Sequence, residues 1–469
     1  QDYAEQALET VQGLLKSRPQ GNVLIQLLTS AQRKQYSFSG LSALLKTAGL
    51  ENKKLIGQTI EIDSHENVES VIEKLKENKR HTEDQHIKYE KGKRYINDLD
   101  EMQIDDREIS MPWRDKGVYL ITGGAGGLGF IFAKEIARQA EQPVLILTGR
   151  SALNADQQAE LNELQQLGAR AEYRQVDVTQ TEAASELITS ITSDYEDLNG
   201  VIHSAGLIKD NYLMSKTNEE LTQVLAPKVK GLVNVDEATE HLALDFFILF
   251  SSISSVAGSA GQADYAMANA FMDSYAAYRN ALVTAMYRHG QTLSINWPLW
   301  KEGGMRANKE IENMTLKNTG VTPMRTETGI QALYKGLAFG KDQVIVMEGF
   351  KDMMREKLTQ KPSSDDVPMK TVQVRVTSEA RMDQGNMFDH IQEVLKQTIS
   401  QLLKIKPEEI DPDMEFNQYG FDSITLTEFA NTLNEKCKLD LTPTVFFEHA
   451  TVYAFAGYLS EEYPNAFTA

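Results

Sequence analysis

A chain of 469 residues, 41% hydrophobic and 25% charged, exceeds what one core organises, so two or three domains with separate cores are expected. A formal net charge of −19 argues against nucleic acid or an anionic membrane as partner, since both select a basic face. No run approaches the roughly 20 apolar residues of a membrane span, and a single cysteine, Cys437, excludes an internal disulfide or a cysteine metal cluster; a soluble protein of a reducing cytoplasm, without a metal site, is the expectation.

The opening QDYAEQALETVQGLLKSR lacks the apolar run of a signal peptide and reads as an amphipathic helix. Through residue 114, helix-like runs (SGLSALLKTAG, NVESVIEKLKE) alternate with strand-like runs (NVLIQLL, IGQTIEID, and HIKYE with RYIND around the turn KGK), the pattern of a small α/β unit. From 115 to 350 the alternation becomes regular. The strands GVYLIT, PVLILTG, EYRQVDV, NGVIHSAG, FFILFSS, LSINWPL and QVIVME, separated by helical segments, predict a doubly wound, Rossmann-like parallel sheet. Residues 351–386 mix charge, Ser and Pro with few large apolar side chains and read as a linker. Residues 387–469 read as a small bundle of short helices.

The first strand of the large unit runs into ITGGAGGLGF. Gly124, Gly126 and Gly129 fit G-x-G-x-x-G, while Thr122, Gly123, Gly127 and Gly129 fit the T-G-x-x-x-G-x-G spacing of short-chain dehydrogenase/reductases. The whole turn, Gly123, Gly124, Ala125, Gly126, Gly127, Leu128 and Gly129, is thus a candidate pyrophosphate cradle, with IFAKEIARQA as the helix whose N-terminus faces the anion. The second strand ends in LTGRS. Arg150 and Ser151 there offer donors to a 2′-phosphate where an NAD enzyme carries an acid, which favours NADPH over NADH; a solvated strand-end arginine is the plainer alternative. Asp177 and Val178, at the end of the third strand, are placed to meet an adenine, and Asp177 reads equally as an ordinary strand-to-loop acid. Ala205 and Gly206, after the fourth strand, allow close approach on the nicotinamide side, and His203 beside them reads as a packed core histidine.

The fifth strand, FFILFSS, presents Ser251 and Ser252 at its carboxyl end, the edge where such sheets hold ligands. Tyr265 and Asn269, in YAMANAF, lie one helical turn apart and share a face. A reductase with a catalytic tyrosine ordinarily carries lysine four residues later. Here asparagine stands there, and Lys228, in LAPKVKG, is the candidate for the displaced cation.

Together TGGAGGLG, HSAG, APKVKG, LFSS, YAMANAF and INWPLW resemble, in order and spacing, the ketoreductase domains of modular polyketide synthases, with a looser general likeness to the trans-acyltransferase type. Those domains look like short-chain reductases with the lysine and asparagine positions exchanged. SGLSALLKTAGLENKKL, QTIEID and HIKYEKGKRY likewise resemble the family's N-terminal structural subdomain over residues 1–114, a degenerate half without a cofactor site whose usual first strands are not in this sequence. The resemblance implies NADPH-dependent reduction of a 3-oxoacyl thioester. Tyr265 would be the acid, Ser252 the donor that polarises the carbonyl, Lys228 the cation that lowers the phenol's pKa, and Asn269 the holder of a reprotonating water. Asp210, in LIKDNY, matches the last acid of a family fingerprint for the D (3R) alcohol, from which Ile208 and Lys209 depart; the tryptophan of the opposite kind is replaced by Ala257. An α-keto carbonyl as substrate, or an inactive scaffold, are the competing readings.

In the last unit, YGFDSITLTEFANTLNEK resembles the 4′-phosphopantetheine attachment site of acyl carrier proteins, with Ser423 as the modified serine at the head of an apolar-periodic helix. An N-cap role for Asp422 or Ser423 is the plainer alternative. The excess of acids over bases in this unit suits basic partner surfaces. The resemblance implies as partners a phosphopantetheinyl transferase, other polyketide synthase domains, and an acyl-phosphopantetheine substrate brought to the reductase at high effective concentration by its tether.

Overall fold

In the computed structural model of the chain, residues 2–17, 19, 21–30, 38–102, 109–304, 312, 315–317, 319–359, 384–421, 423–443 and 445–467 are described. The N-terminal unit runs α1 (Asp2–Lys16), β1 (Val23–Ser30), α2 (Ser39–Glu51), β2 (Leu55–Ile62), α3 (Val68–Asn78), β3 (His86–Glu90) and β4 (Lys93–Ile96). Its four strands form one sheet in sequential order, parallel except for the β3–β4 hairpin. Lys91 and Gly92 both take positive φ in that hairpin, which matches the strands' right-handed twist. The opening helix is amphipathic as its spacing predicts, burying Ala4, Leu8, Val11 and Leu15.

The middle unit contains α4 (Gly127–Gln139), α5 (Ala155–Gln166), α6 (Thr181–Tyr195), α7 (Asn218–Lys228), α8 (Lys230–Ala238), α9 (Ser254–Ala257) and α10 (Ala263–Thr284). Its strands are β5 (Val118–Thr122), β6 (Val144–Gly149), β7 (Arg170–Gln175), β8 (Gly200–His203), β9 (Phe246–Ser252), β10 (Gln291–Trp297) and β12 (Gln343–Ile345), with β11 (Val321–Thr322) and β13 (Glu348–Gly349) as a small antiparallel pair. The seven parallel strands stand in the order β12-β10-β9-β8-β5-β6-β7, so the winding reverses between β5 and β8. That reversal opens a crevice at the carboxyl edge. Alternation along each strand feeds two cores. Tyr119, Ile121, Phe246, Ile248 and Phe250 pack towards α4 and α5, and Val118, Leu120, Phe247 and Leu249 towards α6, α8 and α10.

The N-terminal and middle units share a core. Leu8, Leu41, Leu44 and Leu45 cluster with Leu213, Leu221, Ala263 and Met267, and small residues bring α2 against α10, where a Cβ on Gly40 would lie 2.9 Å from the Met267 carbonyl oxygen. Two differences from the sequence reading concern ends. Strand β7 stops at Gln175, which leaves Asp177 and Val178 in the following loop. The stretch read as linker begins with a helix, Lys351–Thr359, because KDMMREKLT consists mostly of good helix formers; Lys351 and Arg355 fasten it to Glu101. The rest of that stretch up to residue 383 lies outside the described residues.

The C-terminal unit is a bundle of Gln384–Leu403, Ser423–Cys437 and Val452–Glu462 with shorter helices. Its core is a ladder of aromatic rings, Phe416, Phe429, Phe446 and Phe455, supported by Ile391, Leu395 and Leu433. It meets the middle unit where the Tyr212 and Thr427 hydroxyls lie 2.5 Å apart and through the pair Lys317–Glu435 at 2.5 Å, and the N-terminal unit through Lys53–Asp440. Both ion pairs are exposed and contribute little to stability. No helix among the described residues is long and apolar enough to cross a membrane.

Candidate active site

Strand β5 delivers the chain into the glycine turn. Gly123 sits at φ +64°, and a Cβ there would lie 2.8 Å from the backbone of Ala205, so the turn and the end of β8 close on each other across the reversal point. A cavity of about 280 Å³ follows, lined by Gly123, Ala125 and Gly126 from the turn, Arg150 and Ser151 after β6, Asp177 and Val178 after β7, and Ala205 and Gly206 after β8. Thus four strand ends contribute to one crevice, with the N-terminus of α4 beside it as a ready anion site.

Four residues of the expected cradle do not line that cavity. A Cβ on Gly129 would lie 2.6 Å from Gly124, and one on Gly127 would lie 2.4 Å from the Gly303 carbonyl oxygen, while Gly124 abuts Leu147 and Leu128 packs into the core. These contacts show how tightly the turn packs against β5, β6 and the Gly303 backbone. Sequence reasoning missed Gln157, which lines the cavity, holds the Ala125 carbonyl at 2.9 Å, and forms a capping box with Asn154. The Asn-x-x-Gln spacing is a legible signal for that role.

The second set of residues comes from β9, α7 and α10. Ser252 is the last residue of β9, paired in register with Trp297. Tyr265 and Asn269 occupy successive turns of α10, and the Asn269 amide nitrogen donates to the Tyr265 carbonyl at 2.8 Å. Its Oδ1 is fully buried and has no hydrogen-bond partner among the described residues. Lys228 ends α7, where Pro227 interrupts the helical bonding. Its Nζ donates to the Phe250 carbonyl at 2.8 Å and lies 5.5 Å from the centre of the Tyr265 ring. Gly206 leaves room for the lysine stem, since a Cβ there would lie 2.8 Å from Lys228 Cε.

Burial dominates the electrostatics of this set. Burial pushes the Tyr265 phenol above its ordinary pKa, with the polar side chains of Asn269 and Ser252 pulling it down and the Asp210 charge pushing it up. Lys228 is itself drawn down to about 7 by burial, against the opposing charge of Asp273. His203 is a packed histidine. Burial draws it to about 3, its Nε2 lies 3.0 Å from the Pro227 carbonyl, and Nδ1 lies 2.9 Å from Thr122 Oγ1. A neutral ring donating at Nε2 and accepting at Nδ1 satisfies both contacts and steadies the end of α7 beside Lys228. Asp210 is exposed and accepts from Gln262 Nε2 at 3.0 Å. Ser423 is the first residue of its helix.

A doubly wound sheet, a glycine turn at the winding reversal, and a Tyr-Ser-Lys-Asn set beside it define a nicotinamide-dependent reductase. The family description "KR domain" matches residues 117–302, and "Phosphopantetheine attachment site" matches 393–459. Polyketide synthase PksL of Bacillus subtilis (strain 168) is 43% identical over 463 residues, covering 97% of this chain and 10% of that protein. Polyketide synthase ThaG of Burkholderia thailandensis is 34% identical over 438 residues, covering 92% of this chain and 8% of that protein. The chain thus spans about a tenth of the length of the curated relatives it matches. The crystal structure of a ketoreductase domain from the bacillaene assembly line superposes with a TM-score of 0.74 at 46% identity, covering 76% of this chain and 85% of that one. This chain belongs to the ketoreductase family of modular polyketide synthases and carries a phosphopantetheine carrier domain.

Proposed function

We propose that the chain reduces a 3-oxoacyl thioester, carried on phosphopantetheine at Ser423, to the D (3R) 3-hydroxyacyl thioester with NADPH. The observation that carries this reading is the convergence of Tyr265, Ser252, Lys228 and Asn269 beside the crevice of the glycine turn. The crevice fits the adenosine and pyrophosphate half of the cofactor. Arg150 and Ser151 would take its 2′-phosphate, Asp177 and Val178 its adenine, Gly123, Ala125 and Gly126 its pyrophosphate, and Ala205 and Gly206 its nicotinamide side. When bound, NADPH supplies a hydride to the carbonyl carbon.

The chain's own groups manage the oxygen. Ser252 Oγ donates a hydrogen bond to the substrate carbonyl oxygen, and Tyr265 Oη gives it the proton as the C=O π bond breaks. Burial raises the phenol's pKa and so works against this donation, while hydrogen bonds from Asn269 and Ser252 pull it back towards the value a proton donor needs. The unpartnered Oδ1 of Asn269 suits the water through which the tyrosine regains a proton. Thr427, one turn beyond Ser423, touches Tyr212, two residues beyond Asp210, so the carrier's attachment helix stands near the wall of the site. A phosphopantetheinyl transferase would load Ser423, and other synthase domains would supply the acyl chain.

The test is turnover of a β-ketoacyl pantetheine thioester followed by NADPH absorbance, with NADH in parallel and chiral analysis of the alcohol. NADPH-preferring formation of the (3R) alcohol is expected. Equal kcat/KM for the two cofactors, the (3S) product, turnover of α-keto thioesters only, or a folded but inert protein would overturn the corresponding part of the reading.

A further inference from the structure

One acid of the N-terminal unit reaches into the catalytic half. Glu51 ends α2 and is fully buried. Its Oε1 accepts from the Gly261 backbone N–H at 2.9 Å, and its Oε2 from the Leu213 N–H at 2.8 Å. Gly261, at φ +78°, turns the chain into the first turn of α10, four residues before Tyr265; Leu213 closes the stretch that carries Asp210. The two stretches also bind each other, with Asn211 N–H donating to the Gly261 carbonyl at 2.8 Å and Gln262 to Asp210. Next to them, Lys216 and Asp264 form an ion pair at 2.8 Å with each side chain 1% exposed, and Asp264 Oδ1 takes the Tyr265 backbone N–H at 2.9 Å. A single carboxylate therefore uses its two oxygens to set the distance between the acid of the reaction and the wall opposite. Two directed, buried hydrogen bonds to backbone hold that distance better than apolar packing does, since packing tolerates sliding.

We propose that Glu51 is a positioning residue of the reduction: it fixes Tyr265 against the Asp210 wall and so governs which face of the carbonyl carbon is presented to the hydride. The proposal rests on the reading of Tyr265 as the proton donor and of the Asp210 stretch as a substrate wall. Burial holds the Glu51 carboxyl up at about 7, with the Gly261 and Leu213 N–H groups and Lys216 pulling it down. A stapling role between units alone makes a different prediction. It lowers the melting temperature and the amount of active enzyme but leaves the product of each active molecule unchanged.

The experiment uses the full chain with Glu51→Gln, Glu51→Ala and Gln262→Ala on one β-ketoacyl pantetheine thioester. The readouts are kcat, KM for each substrate, the enantiomer ratio and a thermal melt. Glu51→Gln keeps one acceptor while its NH₂ confronts an N–H. We expect kcat to fall by about ten- to a hundred-fold, as misplacement of a reacting group by an ångström or less does. The minor enantiomer should rise several-fold, with KM for NADPH changed less than two-fold. Gln262→Ala, which leaves the buried carboxylate in place, should shift the ratio the same way by a smaller factor and keeps the question open to measurement if the Glu51 variants do not fold. An unchanged ratio and kcat in the folded variants overturns the proposal while leaving the function intact. A wild type inert on every thioester overturns both.

Discussion

Helix α10 carries two polar stripes that are equally buried and differently balanced. On one, Asp236 receives Arg279 Nε at 2.6 Å and Tyr275 Oη at 2.8 Å, with Arg288 at 3.3 Å, while Arg279 also donates to Thr292 and to the Gly290 and His289 carbonyls. Charge and hydrogen bonds are matched there. On the other, Tyr265, Asn269 and Asp273 follow one another at successive turns. Asp273 accepts from Ser255, Ser294 and Asn296, all uncharged, and burial raises its pKa; Lys228 has no carboxylate at hydrogen-bond distance among the described residues. At similar burial, compensation makes a stripe structural. Its lack leaves Lys228 and Asp273 buried without an opposite charge at hydrogen-bond distance among the described residues.

Removing the centre of each stripe should separate the two properties. Tyr265→Phe should lose about 10²- to 10⁴-fold in kcat with NADPH affinity and melting temperature nearly unchanged, because on the proposed function the phenol is the acid. Asp236→Ala should do the reverse, costing about 3–5 kcal/mol of stability by leaving a buried guanidinium unpaired, while the folded fraction retains its kcat. Kinetics and chemical denaturation on the same preparations decide. A Tyr265→Phe enzyme that still turns over, or an Asp236→Ala protein as stable as wild type, would break the contrast.

Lys228 sharpens it further, because its cost depends on pH. A base whose pKa falls from 10.5 to about 7 on folding binds fewer protons in the folded state between those values, so stability rises with pH across that window. Its burial penalty is thus fully present below pH 7 and fades towards pH 10.5. Lys228→Met, which keeps the stem and removes the amine, should be more stable than wild type by a few kcal/mol near pH 6.5, with the gap closing by pH 10. It should at the same time lose most of its turnover. Denaturation midpoints at three pH values check the sign, and a gap that widens with pH would place the charge elsewhere.

Much of this architecture is legible in the chain itself. The seven apolar runs, the turn TGGAGGLG and the spacing of Tyr265 and Asn269 are local patterns, and local patterns report strand, turn and helix face directly. What spacing cannot report is which distant group answers a side chain. Glu51 reads as one more acid at a helix end, and only the docking of α2 on α10 brings it to residues 213 and 261. The same limit applies to Lys228, whose place follows from the motif but whose pKa follows from burial under β9 and α10. Gly124, Gly127 and Gly129 fit the motif by spacing, but the close backbone and side-chain contacts that a Cβ there would meet appear only in the folded chain.

The smallest expected effects compare one hydrogen-bonding group from each stripe. Tyr275→Phe deletes a hydroxyl that donates to Asp236, leaving a buried carboxylate short of one donor, and should cost about 1–3 kcal/mol with no change in kcat. Asn269→Ala deletes an amide whose Oδ1 is unpartnered among the described residues and whose nitrogen donates to a helix carbonyl four residues back. Alanine is the better helix former and no buried acceptor is left behind, so the gain in propensity and the loss of packing nearly cancel, and stability should change by less than about 1 kcal/mol. Turnover should fall by roughly ten-fold, because other groups still hold part of the water that Asn269 is assigned to anchor. Measured side by side, the two variants should exchange effects, one losing stability alone and the other rate alone. An Asn269→Ala enzyme with full kcat would remove Asn269 from the reactive stripe and leave Tyr265, Ser252 and Lys228 to carry it.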